Sequence, residues 1–274
     1  MKTHDPTKGI PAPASFTTSQ REAVFALWDR LADYDAAQAD QALACLQAGL
    51  CALVEADNTD WIGVVRLAED VRADPVGGWR PRVVRILKPN DSFQASVREQ
   101  TRNLERGVVN DVVIRMISMA GQFRAMRLCD LEPPQWFDGP FYQRYYRDNG
   151  HDDALYVASS VNRDAESYFG IFRSLGRPRF TEAERDLAAY ALRGLKWFQR
   201  RLLLGHGLLI ADTPLTPVER QVLQSLLAGL PEKVIAARSE RSYHTVHEYV
   251  RTIYRKFGVN NRASLMALWL GQAP

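Results

Sequence analysis

The amino-acid sequence predicts an α+β protein: an N-terminal domain built on an antiparallel sheet with helices at both ends, then a small all-α domain of four helices. Three observations carry this. Short runs rich in β-branched and aromatic residues follow one another in hairpin-like succession between Trp61 and Arg173. Helical patterns with capping signals flank that region on both sides. From Leu215 onward only helix signals remain, and a chain of 274 residues suits two domains of this kind.

Residues 1–17, with Pro6, Gly9, Pro11 and Pro13, read as a flexible arm. Ser19 and Glu22 form a capping box opening a helix to about Tyr34, and an alanine-rich helix runs from about Ala37 to Val54. Trp61–Leu67 and Arg82–Leu87 read as strands on either side of an Asp74–Gly78 loop. Asp91–Arg106 is assigned to a helix, Asp111–Met119, whose apolar residues suit either period, to a helix in preference to a strand, Phe123–Leu128 to a strand, and Phe141–Gly150 to a helix closed by Gly150. Leu155–Val161 and Ser167–Arg173 pair around a polar turn at 162–166. Thr181 and Glu184 form a capping box opening one long amphipathic helix to about Leu204. The first domain then spans 18–205, a linker 206–213, and the second domain 214–274.

In the second domain, Thr216 is a helix N-cap, Pro217 takes the first helical position, and Glu219 closes a capping box. Val222, Leu223, Leu226 and Leu227 make an apolar stripe that stops at Gly229. A short helix from Glu232 to about Glu240 and a tight polar turn lead to Ser242, the N-cap of a long helix ending near Phe257. On a helical wheel, Val246, Tyr249, Val250, Ile253 and Phe257 share one arc of about 100°, and His244, His247, Glu248, Arg251 and Arg255 share the opposite one. A fourth helix follows from Asn260 to Leu270. Two short helices, a turn and a longer polar-faced helix are the order of a helix-turn-helix.

Residues 215–270 resemble the DNA-binding domain of LuxR-type (GerE-like) transcription regulators. The match lies in register at Leu215-Thr216, Glu219, Val222-Leu223, Gly229-Leu230, Lys233, Ile235-Ala236, Ser242, Thr245-Val246, Ile253, Lys256, Gly258-Val259 and Arg262. Pro231 and Val234 depart from the family pattern, and Ser239 and Arg241 stand where apolar residues are usual, which implies weaker burial of the first helix of the motif. The resemblance implies double-stranded DNA as partner. His247 and Glu248 would face base edges with Arg251 one turn on, while Lys233, Ser242, Thr245, Arg255 and Lys256 would anchor phosphates. One recognition helix touches too few base pairs for high specificity, so a homodimer is expected. Leu265 is assigned to the core of the fourth helix, Leu268 and Trp269 to dimerisation, and the helices at 19–34 and 182–204 to a larger interface.

Phe141–Leu204 resembles the GAF/PAS-like sensor half that precedes such domains, through Phe141-Tyr142, Tyr145, Arg147, Gly150, Gly170–Arg173, Arg177–Thr181 and Glu184. That implies a small-molecule effector held in an apolar pocket with a few polar anchors, for which Trp61, Trp79, Trp136, Phe137, Tyr142, Tyr145 and Tyr156 are the candidates. Asp74-Pro75 and Trp79 match one part of the acyl-homoserine-lactone receptor pattern. Those receptors also place a Trp and a Tyr four apart upstream, and here Val65 stands four after Trp61, so that assignment is not made.

Charge supports the division of labour. Residues 214–274 hold eight Lys/Arg against four Asp/Glu, and the remainder 27 against 28, so the positive balance sits on the helical domain. Three cysteines and no long apolar run or signal-peptide core lead to the expectation of a cytoplasmic protein without membrane partners. No Gly-rich phosphate loop, nucleophile elbow or zinc spacing is present, so no enzyme, metal or cofactor is expected. His151-Asp152-Asp153 and the His244/His247 pair are the nearest to chemical fragments; a turn and a groove-facing helix account for them. The rival reading is a ligand-independent DNA-binding regulator whose first domain only dimerises or docks a protein.

Overall fold

A computed structural model describes residues 16–67, 74–209 and 213–271. The chain forms two compact units. One comprises the residues up to Trp28 together with Ala44–Lys196; the other comprises Asp29–Leu43 together with Trp197 onward. Compactness thus divides the chain at Lys196, earlier than the linker expected at 206–213. Residues 210–212 of that linker, and 1–15 of the expected arm, lie outside the described residues. The neighbouring linker residues His206 and Leu208 are buried. Phe16 is buried too and packs on the Tyr190 ring at 5.2 Å, so Phe16 and Thr17 belong to the fold.

The sheet unit begins with α1 (Thr18–Ala32) and α2 (Ala39–Leu53), both of which run across the division between the units. The box that opens α1 is Thr17 with Gln20 and not Ser19 with Glu22: Thr17 Oγ1 accepts from the Gln20 N–H (3.1 Å), and Gln20 Oε1 accepts from the Thr17 N–H (3.0 Å). Then come β1 (Asn58–Arg66), β2 (Trp79–Ile86), α3 (Asp91–Glu105), α4 (Asp111–Ser118), β3 (Arg124–Arg127), α5 (Leu128–Leu131), α6 (Pro140–Tyr145), β4 (His151–Asn162), β5 (Ala165–Ser174) and α7 (Glu182–Arg193). The five strands form one antiparallel sheet in the order β2-β1-β5-β4-β3.

Strand alternation sorts the side chains between the two faces. Trp61, Ser167, Phe169 and Ile171 are buried on one face, where the Trp61 indole donates to Ser167 Oγ at 2.7 Å. Asp60, Ile62, Val64, Tyr156, Tyr168 and Phe172 occupy the other.

The helix expected to run unbroken to Leu204 is two helices, α7 and α8 (Lys196–Gly205). The Trp28 indole donates to the Ala191 carbonyl at 2.8 Å, taking the acceptor that the Leu195 N–H would use in a continuing helix. That N–H bonds instead to the Leu192 carbonyl.

In the helical unit, α8 is followed by α9 (Pro217–Leu227), α10 (Glu232–Arg238), α11 (Tyr243–Phe257) and α12 (Arg262–Trp269). Leu204, Leu215, Val222, Leu226, Ile235, Val246, Val250, Ile253, Phe257, Leu265 and Leu268 form one core. Thr216 and Glu219 cap α9 reciprocally, as expected. Asp40, from the N-terminal segment of this unit, accepts from Arg220 (2.5 Å) and Gln224 (3.0 Å) on α9. Arg262 donates to the carbonyls of Leu226 and Leu230 at the end of α9, satisfying groups a helix terminus leaves open.

Candidate functional site

Two features carry functional chemistry, one in each unit. In the helical unit, α11 starts at Ser242, whose Oγ accepts from the Thr245 N–H at 3.0 Å and contacts the Thr245 hydroxyl at 2.8 Å. Its apolar arc is seated: Val246, Val250, Ile253 and Phe257 are buried, with Tyr249 half-buried. On the opposite arc His244, Glu248, Arg251 and Arg255 are exposed. The turn between α10 and α11 is held by the Arg241 N–H on the Ala236 carbonyl at 3.0 Å, with Glu240 in the left-handed region at φ 53°. Ser239 and Arg241, where burial was expected to suffer, are both exposed. Ser239 Oγ donates to the Ile235 carbonyl and Arg241 lies over the Tyr249 ring, so the two departures leave the core closed.

The predicted DNA contacts are placed unequally. Lys233, Ser242, Glu248, Arg251 and Arg255 are exposed and Thr245 is half-buried. Glu248 and Arg251 pair with each other at 3.0 Å, one turn apart on the same face. His247 is tied through Nδ1 to Glu232 of α10 at 2.9 Å, which leaves its far ring edge outward. Lys256 differs: its ammonium donates to Glu219 (2.8 Å) and to the Pro214 carbonyl (3.2 Å), fastening the end of α11 to the start of α9. Burial would raise the Glu219 pKa, but the Lys256 hydrogen bond and the Thr216 N–H hold it below the usual carboxylate value.

The dimerisation assignment to Leu268 is corrected, because Leu268 is buried in the core of its own unit. Trp269 is half-buried against that core, 5.8 Å from the Phe257 ring. Sequence reasoning passed over Tyr243 in the first turn of α11, which is half exposed and stacked on His247 at 6.0 Å. An aromatic beside a helix N-cap on the polar side was the available signal.

In the sheet unit, a cavity of about 380 Å³ opens between the sheet and helices α3 and α4. Of the candidate ligand residues it includes Tyr145 and Tyr156; Trp61, Trp79, Trp136 and Tyr142 lie outside its wall. Trp61 is excluded by strand parity, being on the opposite face of β1 from Asp60 and Ile62. Trp79 packs among Val64, Ala158 and Tyr168. Trp136 and Phe137 belong to aromatic clusters outside the wall, and the Tyr142 hydroxyl is spent on the Asp152 carbonyl at 2.7 Å. Asp74 does not reach the cavity either, since it accepts from Val76 N–H, Gly78 N–H and Arg80.

The polar end of the cavity was not anticipated. Asp60, Gly170 and Tyr156 form a row across β1, β5 and β4 in register. Asp60 Oδ1 accepts from the Gly170 N–H at 3.0 Å. A Cβ at position 170 would stand 2.5 Å from that oxygen and 2.7 Å from the Phe172 ring, so only glycine leaves the carboxylate its place. Burial pushes the Asp60 pKa up to about 7 against the pull of the Gly170 N–H. Tyr146, which also lines the cavity, shares a hydrogen bond of 2.6 Å with the Tyr156 hydroxyl. A single Asp in a strand with no acidic neighbour pattern gives sequence reasoning nothing to hold.

His151, Asp152 and Asp153 make no joint site. His151 stacks on Phe172 at 4.7 Å, Asp152 pairs with Arg147, and Asp153 accepts from the Phe180 N–H. Among the described residues no cluster of metal-ligating side chains occurs, and no helix is long and apolar enough to cross a membrane.

Two short helices, a turn and a third helix seated on its apolar face define the C-terminal domain as a helix-turn-helix. Residues 213–269 match the family described as bacterial regulatory proteins, luxR family (GerE), and this domain is a member of it. Over 57 residues the chain is 37% identical to the probable HTH-type transcriptional regulator GfsR of Streptomyces halstedii. That stretch is 21% of this chain and only 24% of the relative, so the likeness is one of domain. Among solved structures, SdiA in complex with octanoyl-rac-glycerol overlays 92% of this chain and 94% of its own at 14% identity and a TM-score of 0.47. The LBD domain of VqsR from Pseudomonas aeruginosa overlays 69% of this chain and 98% of its own at 13% identity and a TM-score of 0.43.

Proposed function

We propose that this protein is a transcription regulator that reads double-stranded DNA through α11 and takes a small-molecule effector in the cavity of its sheet unit. The observation that carries the reading is the division of α11. One arc is fully engaged in the domain core, and the other presents Glu248, Arg251, Arg255 and the outer edge of His247 over the length of the helix. A helix so held fits the major groove, where Arg donates twice to guanine and a carboxylate accepts from cytosine. The Glu248–Arg251 pair keeps the two side chains mutually oriented before contact.

Lys233, Ser242, Thr245 and Arg255 are the phosphate-contacting set in this reading, with Lys256 assigned to holding the domain together. DNA binding by two copies follows from the small footprint of one recognition helix; Trp269 remains the residue of α12 available to a second copy. Control by an effector is supported by the cavity, whose volume is in the range of small-molecule sites.

The experiment is selection of binding sequences from random duplex DNA by the full-length protein. An enriched motif is expected, and Arg251→Ala should relax it at one base pair at a cost of about 1–3 kcal/mol. Selected DNA bound no more tightly than random DNA would end the proposal. An enriched motif whose binding no small molecule alters would leave the ligand-independent regulator standing instead.

A further inference from the structure

The cavity's composition narrows what it can hold. Its wall is largely apolar, with Val84 and Val97 and with Val112, Met116 and Ile117 of α4, and its polar side chains Gln100, Thr101, Asn103 and Asn110 are uncharged. The same wall carries the Asp60 carboxylate, which is buried and which no Arg or Lys among the described residues pairs with. Around that carboxylate stand aromatic rings: Tyr156 beside it across Gly170, Tyr146 bonded to Tyr156, and Phe172 over Gly170. Among the lining residues there is no lysine, arginine or histidine, and Asp60 is the one carboxylate.

We propose that the cavity binds an ammonium-bearing apolar molecule, its charged nitrogen held by Asp60 against the rings of Tyr146, Tyr156 and Phe172, its hydrocarbon body against the aliphatic side chains of the wall. The inference rests on the reading of this cavity as an effector site. A carboxylate buried without a cationic partner is unfavourable, and a cation delivered by the ligand reduces that penalty where a neutral molecule leaves it. Ring faces add attraction for the same cation and none for a carboxylate. An anionic ligand would set two like charges together in a low-dielectric site.

Size agrees. At interior packing density the volume takes a molecule of roughly fifteen non-hydrogen atoms or fewer. The other titratable groups facing the site are Tyr145, Tyr146, Tyr156 and Tyr168, all with pKa values raised first of all by burial. They stay neutral through the physiological range, so Asp60 alone sets the charge of the cavity there.

The test is calorimetric titration of the full chain with three probes of one length: octylamine, 1-octanol and octanoate. Octylamine is expected to bind most tightly. Its affinity should rise with pH between 5 and 8, up to about tenfold per unit below the Asp60 pKa as the carboxylate ionises. Asp60→Asn keeps an acceptor for the Gly170 N–H, so it should fold, which melting of the free variant checks. It should lose roughly thirtyfold or more of octylamine affinity and the pH dependence, with octanol unaffected. Octanol binding as well as octylamine, with Asp60→Asn neutral, overturns the ammonium while leaving an effector cavity. Heat from none of the three overturns the ammonium and the effector reading together.

Discussion

In the sheet unit Arg124, Glu166, Asp153 and Asp60 are all buried, whereas in the helical unit Glu248, Arg251 and Arg255 of α11 are exposed. The exceptions in the helical unit, Glu219 and Arg220, are each tied to an opposite charge, Lys256 and Asp40. Within the sheet unit the buried charges divide again. Glu166 is closed on all sides: it takes two bonds from Arg124 (2.8 and 3.1 Å), one from the Tyr168 hydroxyl (2.6 Å) and one from the Gly121 N–H (2.7 Å). Asp60 has a backbone N–H and the cavity. A charge satisfied by the fold holds structure, and a charge left facing a cavity is available to a visitor.

The largest effect should come from breaking the closed cluster. Glu166→Ala strands Arg124 in the interior and should destabilise the protein by about 3–5 kcal/mol in denaturant unfolding. A loss under 1 kcal/mol would mean that water reaches the cluster and that the contrast with Asp60 is false.

Asp60→Asn should act in the opposite direction. Because the folded-state pKa of Asp60 is raised to about 7, wild-type stability from this group is full below the unfolded value near 4 and is lost as pH rises through 7. At pH 8 the Asn variant should therefore be the more stable, by an amount on the order of 3–4 kcal/mol, and the advantage should vanish near pH 4. Equal stability at both pH values would show Asp60 to be as well satisfied as Glu166.

Lys256→Ala sharpens the comparison within the helical unit. It should destabilise by ~1.5 kcal/mol through the lost bond to Glu219. Glu219 has a depressed pKa, so this stabilisation is present above the unfolded value near 4.3 and disappears as pH falls through the folded one. The salt dependence of DNA binding should not change, whereas Arg255→Ala should flatten the log–log slope by about one unit. The reverse pattern would return Lys256 to the phosphate contacts.

The smallest effects belong to the capping boxes that open α7 and α9. Thr181→Ala and Thr216→Ala should each cost about 1 kcal/mol, measured by thermal unfolding. Each box's glutamate also takes a cation from a distant element, Arg173 for Glu184 and Lys256 for Glu219, so the two losses should be alike. A threefold difference would show that the units differ in more than where they keep their charges.

The legibility of the sequence follows the same line. The two faces of α11, the boxes at Thr181 and Thr216, and the strands of the sheet are local patterns of period 3.6 or 2, and they could be read without tertiary knowledge. The split of α7 from α8 could not, because Trp28 imposes it from a distance of more than a hundred and fifty residues. The cavity was legible only in part. Aromatic residues marked Tyr145 and Tyr156, but the same signal marked Trp61 and Tyr142, which parity and a hydrogen bond take elsewhere. Asp60 is defined by the strand opposite and by a missing side chain at Gly170, and such cross-strand facts have no signature along the chain. Leu268 failed for a related reason: an apolar residue near the chain end reads alike whether its neighbours cover it or a second copy does.

Glu240 offers a use for one last detail of the turn before α11. A non-glycine residue with φ 53° sits about 1 kcal/mol or more above its relaxed state, so the helices on either side impose this geometry on it. Glycine would take the same dihedral without that strain, and Glu240 is exposed, with no side-chain role to lose. The position is therefore an opening for protein engineering. A Glu240→Gly variant would relieve that strain, at the cost of a more permissive backbone between α10 and α11, and would remove one negative charge from the turn that leads into α11.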